Sequence, residues 1–181
     1  VKLQLMNAND EKIQAEIDLV ESKKFSDSVV VSEEGLNFIA PELIEIIKKG
    51  VLETDIDTQT IQFRGSKSNN GSIEHILRVK IEHISSGKRS YTSASLCDSW
   101  GRCEGDPIEF KLISSNSSNC TTVSCNHSDV MEFNFSDEFL VGKINETGFT
   151  DGLTMRINRN RFYNKVNVPS AYLTGYLKVA N

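Results

Sequence analysis

The chain has 181 residues, with 20 Lys+Arg against 25 Asp+Glu and a formal net charge of −5. That length suits one domain with its own core, expected over residues 1–181. The acidic balance disfavours a general nucleic-acid binder, and no apolar run approaches the ~18 residues of a membrane-spanning helix. The sequence opens at Val1 without a signal peptide or initiator Met, as expected of a processed mature protein or an excised domain.

Alternation of apolar residues predicts strands over Val1–Met6 and Ile13–Leu19, separated by a turn cluster at Asn7-Ala8-Asn9-Asp10. Val29–Val31 and Leu36–Ile39 read as short strands around Glu33-Glu34-Gly35. Pro41–Lys49 reads as a helix: proline in the first turn, acids early, lysines late, Gly50 after it, and Leu43, Ile46 and Ile47 as its stripe.

Ile73–Ile84 is a long strand carrying the tetrapeptide IEHI twice, eight residues apart. His75 and His83 therefore share a face, but lie roughly 26 Å apart along the strand and cannot share a metal. Surface or cross-strand packing is the expected role of both. Ser86-Gly87-Lys88 is expected to turn the chain into Tyr91–Cys97 as a hairpin. Further strands are expected at Ile108–Ile113, Met131–Phe135, Phe139–Val141, Leu153–Ile157 and Leu173–Val179. Many short strands and one short helix predict a mainly β fold, a sandwich or barrel.

Charge is unevenly spread. Residues 1–60 hold 6 basic and 13 acidic side chains, whereas residues 150–181 hold 5 and 1. Either the two parts neutralise each other, or Arg156, Arg159, Arg161 and Lys165 form an anion-binding patch, a task suited to the guanidinium fork. The single tryptophan, Trp100, lies in the Cys97–Cys103 segment with Arg102 beside it. It is expected either to pack into the core or to offer its indole face to a sugar.

Cys97, Cys103, Cys120 and Cys125 allow three disulfide connectivities. Pairing neighbours would close two short loops worth only ~2 kcal/mol each. A zinc site would need Cys-x5-Cys and Cys-x4-Cys spacings, wider than the usual knuckle, and free thiols are the third possibility. The polar stretch Ser114–Ser128 resembles an exposed secreted loop. Six Asn-x-Ser/Thr sequons, at Asn70, Asn116, Asn119, Asn126, Asn134 and Asn145, are either glycan sites or chance products of an Asn- and Ser-rich chain.

The sequence has no Walker loop, no G-x-G-x-x-G, no H-E-x-x-H and no G-x-S-x-G. Glu33/Glu34 and Asp137/Glu138 are adjacent, so on a strand they would face opposite ways. Asp55 and Asp57 would share a face but lack a calcium-loop context. A non-enzymatic protein without a cofactor or metal is expected.

Three stretches carry a family resemblance. They are Tyr91–Cys103 (YTSASLCDSWGRC), the Phe110-Lys111 to Asn119-Cys120 and Cys125 segment, and Leu153–Val179 ending in Tyr172-Leu-Thr-Gly175-Tyr-Leu-Lys-Val179. Together they resemble the tip adhesins of bacterial chaperone–usher fimbriae, the class 5 (alpha) colonization-factor type. The resemblance covers about 60 residues and none before Tyr91. It implies an immunoglobulin-like β-sandwich, exported through the periplasm and displayed at a fimbrial tip, that binds a host-cell glycan or glycoprotein. Its partners would be a periplasmic chaperone, an usher and a neighbouring pilin subunit. The alternative is a structural pilin completed by strand addition, with Val1–Met6 as a donor-like strand.

Overall fold

The computed structural model describes residues 2–48, 56–98, 100–103, 107–146 and 152–181. Its elements in chain order begin with α1 (Lys2–Asp27), β1 (Val30–Val31), β2 (Asn37–Ile39), β3 (Leu43–Lys48), β4 (Ile56–Lys67) and β5 (Ile73–Ser85). There follow β6 (Ser93–Leu96), β7 (Pro107–Ile108), β8 (Phe110–Ser118), β9 (Cys125–Ser136) and α2 (Asp137–Glu146). The chain closes with β10 (Leu153–Arg159), β11 (Phe162–Val168) and α3 (Ser170–Ala180). The fold is mainly β with antiparallel pairing throughout, and it carries three helices among the described residues rather than one short one.

Seven strands form one sheet in the order β1-β2-β4-β5-β9-β8, with β3 also pairing along β4. The other four form a second sheet, β11-β10-β6-β7. The expected hairpin through Ser86-Gly87-Lys88 does not form, because β6 leaves the first sheet and pairs with β10 and β7.

Strand alternation puts every second residue of β4, β5 and β9 on one buried face. The register aligns these residues in cross-strand rows. Ile61/Val79/Met131 and Phe63/Leu77/Phe133 make the apolar centre. Asp57/His83/His127 and Gln59/Ile81/Asp129 lie towards one end, and Gly65/His75/Phe135 lie at the other. The inner residues of the second sheet, Leu153, Met155, Ile157, Val166, Val168 and Ala94, join the same core.

Helix α3 closes the end occupied by His75. Tyr172, Leu173, Tyr176, Leu177 and Ala180 are buried, the i, i+1, i+4, i+5, i+8 signature of one helix face. The Tyr172 hydroxyl donates to Pro41 O (2.7 Å) and accepts from Phe63 N (3.1 Å). It thereby supplies the partner that β4 lacks where its neighbour changes from β3 to β2. Burial pushes the Tyr172 hydroxyl pKa up to about 12.

Tyr176 fills the space that Gly65 leaves open; a Cβ at Gly65 would strike the Tyr176 hydroxyl. At Gly175 a Cβ would lie 2.5 Å from Ser22 O and 2.6 Å from Phe25 Cβ. Only glycine therefore lets α1 lie so close against α3, with the Phe25 ring edge-on to Tyr172 at 5.3 Å.

In four segments the structure departs from what the sequence predicts. Lys2–Met6, the Asn7–Asp10 turn and Ile13–Leu19 belong to the single helix α1. The run is free of Gly and Pro and rich in Leu, Lys, Glu, Gln and Ala, so helix propensity outweighs a short alternation. Pro41–Lys49 is not a helix: Leu43–Lys48 forms β3, where three isoleucines pair along β4, and Lys49 lies outside the described residues. Phe139–Val141 falls in α2, begun by Ser136, whose Oγ accepts from Phe139 N (3.2 Å) ahead of Asp137 and Glu138. Leu173–Val179 falls in α3, because its apolar residues satisfy a 3.6 period as well as a period of two.

The expectations at Val29–Val31, Leu36–Ile39, Ile73–Ile84, Ile108–Ile113, Met131–Phe135 and Leu153–Ile157 coincide with strands, within a few residues. The long strands β4 and β11 lie where no element was predicted. Val1 and Asp55 lie outside the described residues.

A candidate anion site on the second sheet

The cysteines pair as neighbours, Cys97–Cys103 and Cys120–Cys125, and no described cysteine is free. Of the three connectivities, the structure carries the neighbour pairing. The first disulfide ties off a loop next to the second sheet. Cys97 N donates to Thr154 O (2.9 Å) and Ser95 Oγ donates to Cys103 O (2.7 Å), so both ends of the loop are fastened to strands.

Inside the loop Asp98 organises the chain. Its Oδ1 accepts from Trp100 N (3.0 Å) and Arg102 N (2.8 Å), and its Oδ2 accepts from Arg102 Nε (2.8 Å). The backbone bond from Arg102 is the main reason the carboxyl sits below its ordinary pKa, and the Arg102 side chain adds to it. Gly101 makes the turn at φ +77°. Trp100 is 84% exposed, so it is not packed into the core.

On β10 and β11 the core takes alternate residues and leaves the others facing away. Register builds three rows on that outer face: Tyr163/Asn158/Ser93, Lys165/Arg156/Ser95 and Asn167/Thr154. All can hydrogen-bond, and no carboxylate is among them, in a chain whose net charge is negative. Asn158 joins two of its neighbours, accepting from Arg156 Nε (2.7 Å) and donating to Ser93 Oγ (3.0 Å). The Arg156 guanidinium lies over the Tyr163 ring, 4.3 Å from its centroid.

A cleft of about 260 Å³ opens between this face and the disulfide loop, lined by Gly101, Arg102, Cys103, Arg156, Tyr163 and Lys165. Lys165 and Arg156 are directly opposed across the antiparallel pair, an arrangement of like charges that costs stability. The Lys165 ammonium has no partner among the described residues. Three cations from β10, β11 and the loop therefore meet at one opening, where an anion would relieve their repulsion.

Arg156 and Lys165 of the expected patch meet at the cleft, joined by Arg102, the residue singled out beside Trp100. Arg159 does not: alternation turns it to the inner side of β10, where its Nε donates to Asn164 Oδ1 (3.1 Å). Burial, then the nearby Arg89 charge, lowers its pKa. Arg161 is exposed in the β10–β11 turn, outside the cleft lining, after Asn160 at φ +47°. Sequence reading overlooked Tyr163 and Asn158, although the alternation Tyr163-Lys165-Asn167 against Asn164-Val166-Val168 was available to show it.

A second polar group lies buried at the Asp57 end of the core. Arg89 grips Asp57 with two hydrogen bonds (2.6 and 2.8 Å), and Asn164 Nδ2 donates to the same carboxylate (3.2 Å). Asp129 Oδ2 accepts from Tyr91 Oη (3.1 Å) and faces His83 Nε2 (3.2 Å). Burial pushes Asp129 up, but hydrogen bonds from His83, Ser115 and Tyr91 outweigh it and hold the carboxyl below its ordinary pKa. His83 stacks on its cross-strand partner His127 at 4.8 Å, the cross-strand packing expected of it.

Ser85, His83 and Asp129 thus form a hydrogen-bonded chain reminiscent of a hydrolytic triad. However, the single Ser85 proton has two neighbours, and the shorter contact (2.6 Å) is to Gly87 O rather than to His83 Nδ1 (3.0 Å). His83 and Asp129 are themselves buried. This geometry fastens the β5 end to the core. Among the described residues no group of three or more His, Cys, Asp or Glu could hold a metal, and no helix is long and apolar enough to cross a membrane.

No protein-family model, curated protein or solved structure matches this chain.

Proposed function

We propose that the protein is an exported adhesin domain that attaches to host cells by binding acidic glycoconjugates at the cleft between the second sheet and the Cys97–Cys103 loop. The observation that carries this reading is the convergence of Arg102, Arg156 and Lys165 on one opening, beside three strand rows that carry no carboxylate. Tyr163 supplies aromatic surface in its lining, and the exposed Trp100 precedes Gly101 in the same loop. Two disulfides favour an oxidising compartment.

In this reading the two sheets form an immunoglobulin-like sandwich, supported by their shared core. Presentation at a fimbrial tip, with a chaperone, an usher and a pilin neighbour as assembly partners, rests on the resemblance of the two cysteine loops alone. The third stretch of that resemblance no longer contributes, because its final strand is α3. The pilin alternative loses its donor strand in the same way, since Lys2–Met6 is helical.

Arg156→Ala and Lys165→Ala are each expected to weaken binding to acidic glycans on an array about tenfold. This corresponds to one charge-assisted hydrogen bond of ~1.5 kcal/mol. Arg159→Ala, on the inner side of β10, is expected to leave binding unchanged. Unchanged binding in both cleft variants, or a loss confined to Arg159→Ala, would refute the site.

A further inference from the structure

The geometry points to a sulfate ester, rather than a sugar carboxylate, as the group held in the cleft; this rests on the acidic-glycan reading above. A carboxylate takes two parallel N–H bonds from one guanidinium, side-on through Nε and one terminal nitrogen or, as Asp57 does from Arg89, end-on through both terminal nitrogens. Here the side-on edge is spent on both arginines. Arg156 Nε is committed to Asn158 Oδ1 at 2.7 Å, and Arg102 Nε to Asp98 Oδ2 at 2.8 Å. What remains is the terminal nitrogens of Arg156 and Arg102 and the Lys165 ammonium, which has no partner among the described residues, donors arriving from three separate elements. A tetrahedral oxyanion offers three free oxygens to such a set, and a planar carboxylate only two.

Most of the loop's described backbone N–H groups are spent elsewhere. Those of Trp100, Gly101 and Arg102 are all engaged by Asp98. The cleft is therefore unlike the amide cradles that hold phosphates. Its charged lining donates only, which suits a sulfate ester, an acceptor with a fixed single charge. A phosphate monoester, with its second proton near pH 6, is the competing source of the same tetrahedral shape.

The test compares saccharides that differ in the sulfate alone. Chondroitin 4-sulfate tetrasaccharide and unsulfated chondroitin tetrasaccharide share one backbone and the same carboxylates. In calorimetric titration the sulfated form is expected to bind about tenfold more tightly. Arg102→Ala, an exposed-loop change, is expected to shrink that ratio, as are Arg156→Ala and Lys165→Ala. Equal affinity for the two forms overturns the sulfate assignment while leaving the acidic-glycan reading intact. Binding of neither form, with no acidic glycan bound on the array, overturns both. A phosphorylated oligomannoside that binds more tightly than the sulfated tetrasaccharide replaces sulfate with phosphate and equally overturns the proposal.

Discussion

Arg89→Ala is expected to destabilise the protein by about 3–5 kcal/mol, the cost of breaking one partner out of a buried ion pair. Asp57 is 2% exposed and receives both Arg89 nitrogens. Burial works against the Arg89 charge, yet the Asp57 bonds and charge outweigh it and raise its pKa, so the pair stays ionised. Removing the guanidinium leaves a carboxylate in the core with Asn164 Nδ2 as a neutral donor. The same change loosens the junction of the sheets, because Asn164 lies on β11 and Asp57 on β4. Arg89→Lys is expected to recover only part of the loss, since an ammonium lacks the fork. Urea denaturation measures both. A loss below about 1 kcal/mol in Arg89→Ala would mean that water reaches Asp57 and that the network is not buried.

At the opposite end, Tyr176→Ala is expected to cost about 3–5 kcal/mol, in the range of other buried aromatic truncations. The ring stacks on Phe63 at 5.1 Å and lies edge-on to His75 at 5.5 Å. Its hydroxyl meets His75 Nδ1 at 2.8 Å, while His75 Nε2 faces Asp137 Oδ1 at 3.1 Å. The carboxylate can only accept, so Nε2 carries the imidazole proton and the tyrosine donates to Nδ1. Tyr176→Phe keeps the ring and removes that donor, for about 1–3 kcal/mol. Thermal melts that rank Ala and Phe equally would show that the hydroxyl, not the packing, carries the effect.

The same cluster makes stability sensitive to acid. Burial lowers the His75 pKa from 6.5 and outweighs the opposing pull of Asp137. The unfolded chain therefore takes up a proton first as the pH falls below 6.5, and stability is lost from there down through the folded value. Asp129, held below its ordinary 3.8, titrates in a lower range and does not confuse the reading. Stability measured against pH is expected to fall across this upper window in the native chain, and His75→Gln is expected to flatten it. An unchanged slope in the variant would assign the acid sensitivity elsewhere.

Much of the first sheet was legible because a buried strand face alternates strictly. Residues 75, 77, 79, 81 and 83 of β5 show that pattern plainly, and both histidines obey it. The helices were not, for reasons visible in their side chains. Leu173 and Leu177 fit both periods, and it is the burial of Tyr172 and Tyr176 beside them, with Phe63 packed against Tyr176, that selects the helix. The helix expected at Pro41–Lys49 fails in the opposite sense: a helix so short is marginal alone, and pairing of Leu43–Lys48 along β4 decides the outcome. Ser136 ahead of Asp137-Glu138 was a readable helix start that a short apolar run obscured.

The candidate site was legible in its charges but not in its geometry. Net charge by segment pointed to Arg156 and Lys165. It could not separate Arg156 from Arg159, because that needs to be known from the strand's facing, set by Met155 and Ile157 turning inward. Nor could it foresee that the Cys97–Cys103 loop, some fifty residues earlier in the chain, supplies the third cation. β6 brings that loop beside β10, and strand pairing at such sequence distance leaves no local trace.

The central claim is that the outer face of the second sheet, with the disulfide loop, binds acidic saccharide. Backbone amide shifts recorded by NMR during titration with an acidic oligosaccharide test it most directly. The expected result is that the largest changes fall at residues 100–103, 154–158 and 163–167, with the β5 and β9 core amides unmoved. Changes centred on β3 and β4, or none at saturating ligand, would contradict it.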